Sequence, residues 1–176
     1  DRAGDAPHPS EAEALFGHDA AEAEVLAAFN TGRMHSGWLI AGPKGIGKAT
    51  LAYRIARFLL AAPPAEPAGL FGAPSPPETL AIDPDHPDAR LIRAGAHPRL
   101  MVLRRSLDER TGRLRSQIVV DDVRRLRAFF GLSATDGGHR VMIVDPADEM
   151  TTSAANALLK VLEEPPPRTT LLLVAH

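Results

Sequence analysis

Two short stretches of this 176-residue sequence carry residue types whose spacing suits phosphate and metal chemistry. The first is Gly42-Pro43-Lys44-Gly45-Ile46-Gly47-Lys48, which fits the pattern G-x-x-x-x-G-K. Glycines let backbone N–H groups turn inward around phosphate oxygens, and a helix starting at the lysine adds its positive end. Lys48 would then reach the β- and γ-phosphates of a nucleotide. The motif departs at its eighth position, where Ala49 stands in place of a Ser or Thr that would hold Mg2+. Thr50 comes one residue late, and one residue is ~100° of helical rotation. The second stretch is Val141-Met142-Ile143-Val144-Asp145, an apolar run ending in a carboxylate. It has the form of a Walker B strand, whose aspartate holds Mg2+ through water. Pro146 follows it, and proline offers neither a base nor a side-chain hydrogen bond.

The residues around these stretches supply the elements that must position them. Trp38–Ala41 reads as a buried strand that runs into Gly42-Pro43. Leu51, Ala52, Ile55, Ala56 and Leu59 give the following segment a helical stripe. Leu100–Leu103 reads as a strand. Arg104–Gln117 reads as a hairpin turning at Thr111-Gly112. Asp121-Asp122 opens a helix with Val123, Leu126 and Phe130 buried. Arg140–Val144 and Thr169–Ala175 are strands, with a helix after Thr151-Thr152-Ser153 between them that stops at Pro165-Pro166-Pro167. Continuous apolar strands alternating with helices predict an α/β fold, a parallel sheet with helices on both faces. Ser10 is a candidate N-cap for helical spacing that begins near Glu11, with Gly17 as an interruption. Residues 1–14 are expected to form a flexible arm. The proline-rich residues 61–98 are expected to be an insertion with at most a short helix.

Composition narrows the possibilities. The net charge of −2 gives no global basic field of the kind that signals nucleic-acid binding by charge alone. There is no cysteine, which excludes disulfides and cysteine-based zinc. No apolar run approaches the ~18–20 residues of a membrane span, and no secretory pattern opens the chain. A cytoplasmic protein with no membrane partner is expected, and a fragment of a longer chain. His86 and His97 with Asp83, Asp85 and Asp88 match no metal-ligand spacing and read as a polar loop. Arg104, Arg105, Arg110, Arg113 and Arg115, joined by Arg124, Arg125 and Arg127, form a basic cluster. A solvated face is favoured there over a DNA-backbone contact, because Asp108, Glu109, Asp121 and Asp122 are interleaved. Phe129-Phe130 reads as core.

Four segments together resemble bacterial clamp-loader subunits of the AAA+ family. They are Leu15-Phe16-Gly17-His18, Arg33-Met34-His35, the stretch from Gly42 to Ala52, and the long run Ser153-Ala154-Ala155-Asn156-Ala157-Leu158-Leu159-Lys160-Val161-Leu162-Glu163-Glu164-Pro165-Pro166. The resemblance runs from about Leu15 to His176, with the proline-rich insertion as the exception. It implies an AAA+ P-loop domain over residues 15–176. The strands of Val144 and Leu172 would both neighbour the phosphate-loop strand, and the fifth strand, lid and collar would lie beyond His176. Hydrolysing relatives keep Ser or Thr after the loop lysine and Glu after the Walker B aspartate. Ala49 and Pro146 therefore point to the delta-prime branch of the DNA polymerase III clamp loaders, which resembles a stator. On that reading the partners are the delta and gamma/tau subunits and, indirectly, the sliding clamp and primed DNA. No residue is assigned a catalytic or metal-ligating role. Gly42, Lys44, Gly45, Gly47, Lys48, Ala49 and Thr50 form a vestigial phosphate site, Asp145 is its Walker B-like residue, and ATP with Mg2+ is the one cofactor the motif suggests. The alternatives are an active AAA+ motor of gamma/tau type and, less compatible with the Ser153–Pro166 run, a small-molecule kinase.

Overall fold

The computed structural model describes residues 7–62, 75–131 and 138–176. Residues 1–6 of the expected arm and 63–74 of the expected insertion lie outside these, as does the side chain of Arg127. The elements in chain order are α1 (Asp19–Asn30), β1 (Gly37–Ala41), α2 (Lys48–Ala61), α3 (Pro87–Arg93), β2 (Leu100–Leu103), α4 (Val120–Gly131), β3 (Arg140–Val144), a 3-10 turn (Ala147–Glu149), α5 (Thr152–Glu163) and β4 (Thr169–Ala175). The four strands form one parallel sheet in the order β1-β4-β3-β2. The α/β expectation holds.

The sheet divides the core by the alternation of strand side chains. Val141, Ile143, Leu172 and Val174 face α1, α2 and α3. Met142, Val144 and Leu171 face α4 and α5. All five residues of β3 are buried, as a strand covered by helices on both faces requires. Local chemistry sets the helix ends. The Thr151 hydroxyl accepts from the Ala154 N–H at 3.2 Å and caps α5. Asp122 Oδ2 accepts from the Val119 N–H at 3.0 Å at the start of α4. His86 caps α3 through Nδ1, which accepts from the Asp88 N–H at 3.3 Å, with Pro87 at the first helical position.

Five expectations are corrected. The strand of Leu172 does neighbour the phosphate-loop strand, but that of Val144 lies one place further off, because β4 inserts between β1 and β3. β1 is not a buried strand. Its Gly37, Leu39 and Ala41 face outward, Leu39 is 66% exposed, and Leu162 of α5 lies over this face at Gly37. The first helix starts at Asp19 rather than near Glu11, since Gly17 takes a φ of 77° and bends the chain before it. Ser10 caps no helix. It lies in a turn in which its Oγ sits 2.8 Å from His8 Nδ1. From His8 onward the expected arm is tied to the body. The His8 ring stands edge-on to Tyr53 at 5.8 Å, and Arg57 Nη2 donates to the Ala12 carbonyl at 2.8 Å.

Candidate functional site

The phosphate-loop motif lies where its chemistry requires, between the carboxyl end of β1 and the start of α2. Gly45 and Gly47 take φ values of 88° and 89°, a region that side chains rarely enter. At Gly47 a side chain would also meet Leu15, whose Cδ1 lies 3.1 Å from the position a Cβ would take. Leu15 and His18 lie over the loop, and His18 Nε2 donates to the Ile46 carbonyl at 2.7 Å.

Lys48 does not point into open space. It is 3% exposed, and its ammonium donates to the carbonyls of Gly42 at 2.6 Å and Pro43 at 2.5 Å. The loop is thus closed on its own cation, and an incoming phosphate would have to break both bonds. Replacing Lys48 with methionine should lower stability by about 1–2 kcal/mol, the usual size for losing charge-assisted hydrogen bonds. A denaturant melt would measure this. An unchanged midpoint would show that the ammonium is not held by the loop.

Asp145 directly follows β3, two strands away from the loop. Its Oδ2 accepts from Arg104 Nη2 at 3.1 Å, and the two side chains are 16% and 35% exposed. Arg104 follows β2, so the neighbouring strand delivers it to the Walker B-like position. Its Nη1 lies 3.2 Å from His8 Nε2, which accepts from it in the neutral ring. Tyr53, on α2, is buried beside this pair. Burial raises the pKa of its hydroxyl, against a lowering by Arg104 and with a further rise from Asp145. Arg105 repeats the charge pairing, its Nε lying 2.8 Å from Glu149 Oε2. The sequence gives no local sign of this pairing. Arg104 and Arg105 read there as part of a solvated basic cluster, and His8 as part of a loose arm.

The other candidates resolve structurally. Asp108 takes Arg115 at 3.6 Å, and Asp121 takes Arg124 at 2.7 Å, while Arg110 and Arg113 stay exposed on the hairpin. Asp88 accepts from His97 Nε2 at 3.0 Å, and Asp83 Oδ1 accepts from the Asp85 N–H at 2.9 Å, so these groups serve turns and a helix end. Phe130 is core, and Arg140 lies over the Phe129 ring at 5.2 Å.

A sheet ordered β1-β4-β3-β2, with a phosphate-type loop after β1 and an aspartate directly after β3, is that of an AAA+ P-loop domain. Residues 17–176 match the family described as DNA polymerase III, delta subunit. The chain belongs to this family. Among curated relatives it is 41% identical over 139 residues to DNA polymerase III subunit delta' of Pseudomonas aeruginosa, covering 79% of this chain and 37% of that protein. It is 32% identical over 153 residues to the subunit delta' of Escherichia coli, covering 87% of this chain and 40% of that protein. The gamma/tau subunit of Mycobacterium tuberculosis is 31% identical over 157 residues, covering 86% of this chain and 23% of that protein. The chain therefore spans well under half the length of these relatives. No helix among the described residues is long and apolar enough to cross a membrane.

Proposed function

We propose that this chain forms the nucleotide-fold domain of a delta-prime-type clamp-loader subunit. It helps place the sliding clamp on primed DNA during replication and does not hydrolyse ATP itself. Its partners are the delta and gamma/tau subunits, and its compartment is the cytoplasm. The observation that carries this reading is the Arg104–Asp145 pair at 3.1 Å. Family membership supplies the context, and the pair closes the acidic site of a fold that elsewhere holds nucleotide and metal. Ala49 and Pro146 support it by removing the metal-ligating hydroxyl and the base. What is kept is the shape of the domain, with its loop, its sheet and the Thr152–Glu163 helix. That suits a subunit that contributes a surface to an assembly rather than a reaction.

Two measurements test the proposal. The full-length protein mixed with gamma/tau and delta subunits should elute as one complex in size-exclusion chromatography, and Lys48→Met should leave that elution unchanged. Alone, with ATP and Mg2+, the protein should show no turnover above background. Turnover that disappears in Lys48→Met would overturn the reading in favour of a gamma/tau-type motor.

A further inference from the structure

The fold family implies ATP with Mg2+ at the carboxyl ends of β1 and β3, so the resident side chains can be tested for their fit to that group. They do not fit the metal. Ala49 presents a methyl group where a hydroxyl would ligate. The Lys48 ammonium is bonded to the Gly42 and Pro43 carbonyls. Asp145 is held by Arg104 at 3.1 Å. In addition, Arg105 holds Glu149 at 2.8 Å, so two successive guanidinium groups after β2 take two carboxylates from the segment between β3 and α5. Arg104 is itself fixed from the far side by His8, 3.2 Å from its Nη1, and the His8 ring rests edge-on against the buried Tyr53.

We propose that Arg104 is the resident cation of this site. Its guanidinium occupies the place beside Asp145 that a divalent metal takes in hydrolysing relatives, which makes the acidic site metal-free by construction. The inference rests on the reading of the chain as a non-hydrolysing subunit and deepens it. The chemistry favours the tethered cation. A guanidinium stays charged at every physiological pH and matches a carboxylate in shape. Mg2+ gives up its water reluctantly, and here it would arrive against a fixed positive charge with one carboxylate to gain. Any anion taken by the phosphate loop would therefore bind without dependence on Mg2+.

The test uses the full-length protein and Mn2+ alone, without nucleotide. Millimolar Mn2+ should leave the melting temperature of the wild type unchanged. Arg104→Ala should melt lower by about 3 °C, the scale for a partly buried ion pair in a domain of this size. Mn2+ should restore most of that loss and broaden NMR signals around Asp145. Arg104→Ala combined with Asp145→Asn should show neither effect, and Arg104→Lys should stay insensitive to Mn2+. If Arg104→Ala fails to fold, Arg104→Gln, which removes only the charge, should gain the Mn2+ response. Wild-type protein that binds Mn2+ at Asp145 would overturn the proposal, as would a folded charge-removed variant that gains no response. Neither readout involves ATP or partner subunits. An actively hydrolysing or non-assembling chain would therefore sink the functional reading through its own tests and be told apart from a failure here.

Discussion

Leu172→Ala should lower the stability of this domain by about 2–5 kcal/mol, the range for truncating a fully buried leucine. Leu172 is 0% exposed at the middle of β4. It lies in register with Trp38 of β1 on one side and Ile143 of β3 on the other, and it belongs to the core cluster that includes the buried face of α2. Few atoms can shift into the space it leaves, because its neighbours are held by strands on both sides and by a helix above. A loss of this size removes a large fraction of the ~5–15 kcal/mol that usually holds a domain together. Urea unfolding should show a lower midpoint with an unchanged slope. Leu159→Ala, on the exposed side of α5 at 53% exposure, serves as the control and should stay within about 0.5 kcal/mol. A cost for Leu172→Ala no larger than that of the control would mean that β4 is not the centre of the sheet.

The second large effect is a dependence on pH centred on His139. Its Nε2 lies 2.9 Å from Thr170 Oγ1 at the amino-terminal end of β3. Burial, with the positive charges of Arg99 and Arg168 nearby, lowers its pKa from 6.5 to about 4. The folded state therefore prefers the neutral ring. The unfolded chain takes up a proton near pH 6.5, while the folded one resists until about pH 4. The stability that His139 contributes is thus complete above the unfolded value and is lost as pH falls from 6.5 toward 4. Its size is on the order of 2–3 kcal/mol, allowing for the part of the ring that solvent reaches. His97, also lowered by burial, acts in the same direction. Chemical melts of wild type and His139→Gln between pH 7.5 and 4.5 would separate the contribution of His139 from that of the carboxylates. If the two proteins lose stability in parallel, His139 is not the group that titrates.

The parts of this molecule that were legible in the sequence are those written in local patterns. The helix after the phosphate loop follows from the 3.6-residue spacing of Leu51, Ile55 and Leu59, and all three are buried. The helix after the Thr151-Thr152-Ser153 run and its stop at Pro165–Pro167 were read, while the Thr151 cap emerges only in the structure. The unbroken apolar run of β3 predicts burial on both faces, which the structure has. The phosphate loop is legible for the same reason, because its glycines, lysine and helix are contiguous. What was not legible depends on contacts between distant residues. Nothing local to Trp38–Ala41 says that one face of that strand lacks a covering helix. Nothing near Asp145 announces a cation that comes from Arg104, 41 residues away. His8 reads as part of a polar arm until Tyr53 and Arg104 are placed beside it. The order of β3 and β4 is likewise a matter of topology, which periodicity does not encode.

The outward-facing side of β1 has a consequence for handling the protein. Among the described residues β1 is the end strand of the sheet and pairs only with β4, and the exposed Leu39 lies on it. Such an edge is a template for any extended segment that meets it, including one from another copy. Self-association through it would be bimolecular, so its initial rate would rise with the square of concentration. Dilution would protect the preparation where added salt would not, because the attraction lies in the backbone and one leucine rather than in charge. Leu39 is thus the side chain whose replacement by lysine would most directly lengthen the time this domain stays monomeric at high concentration.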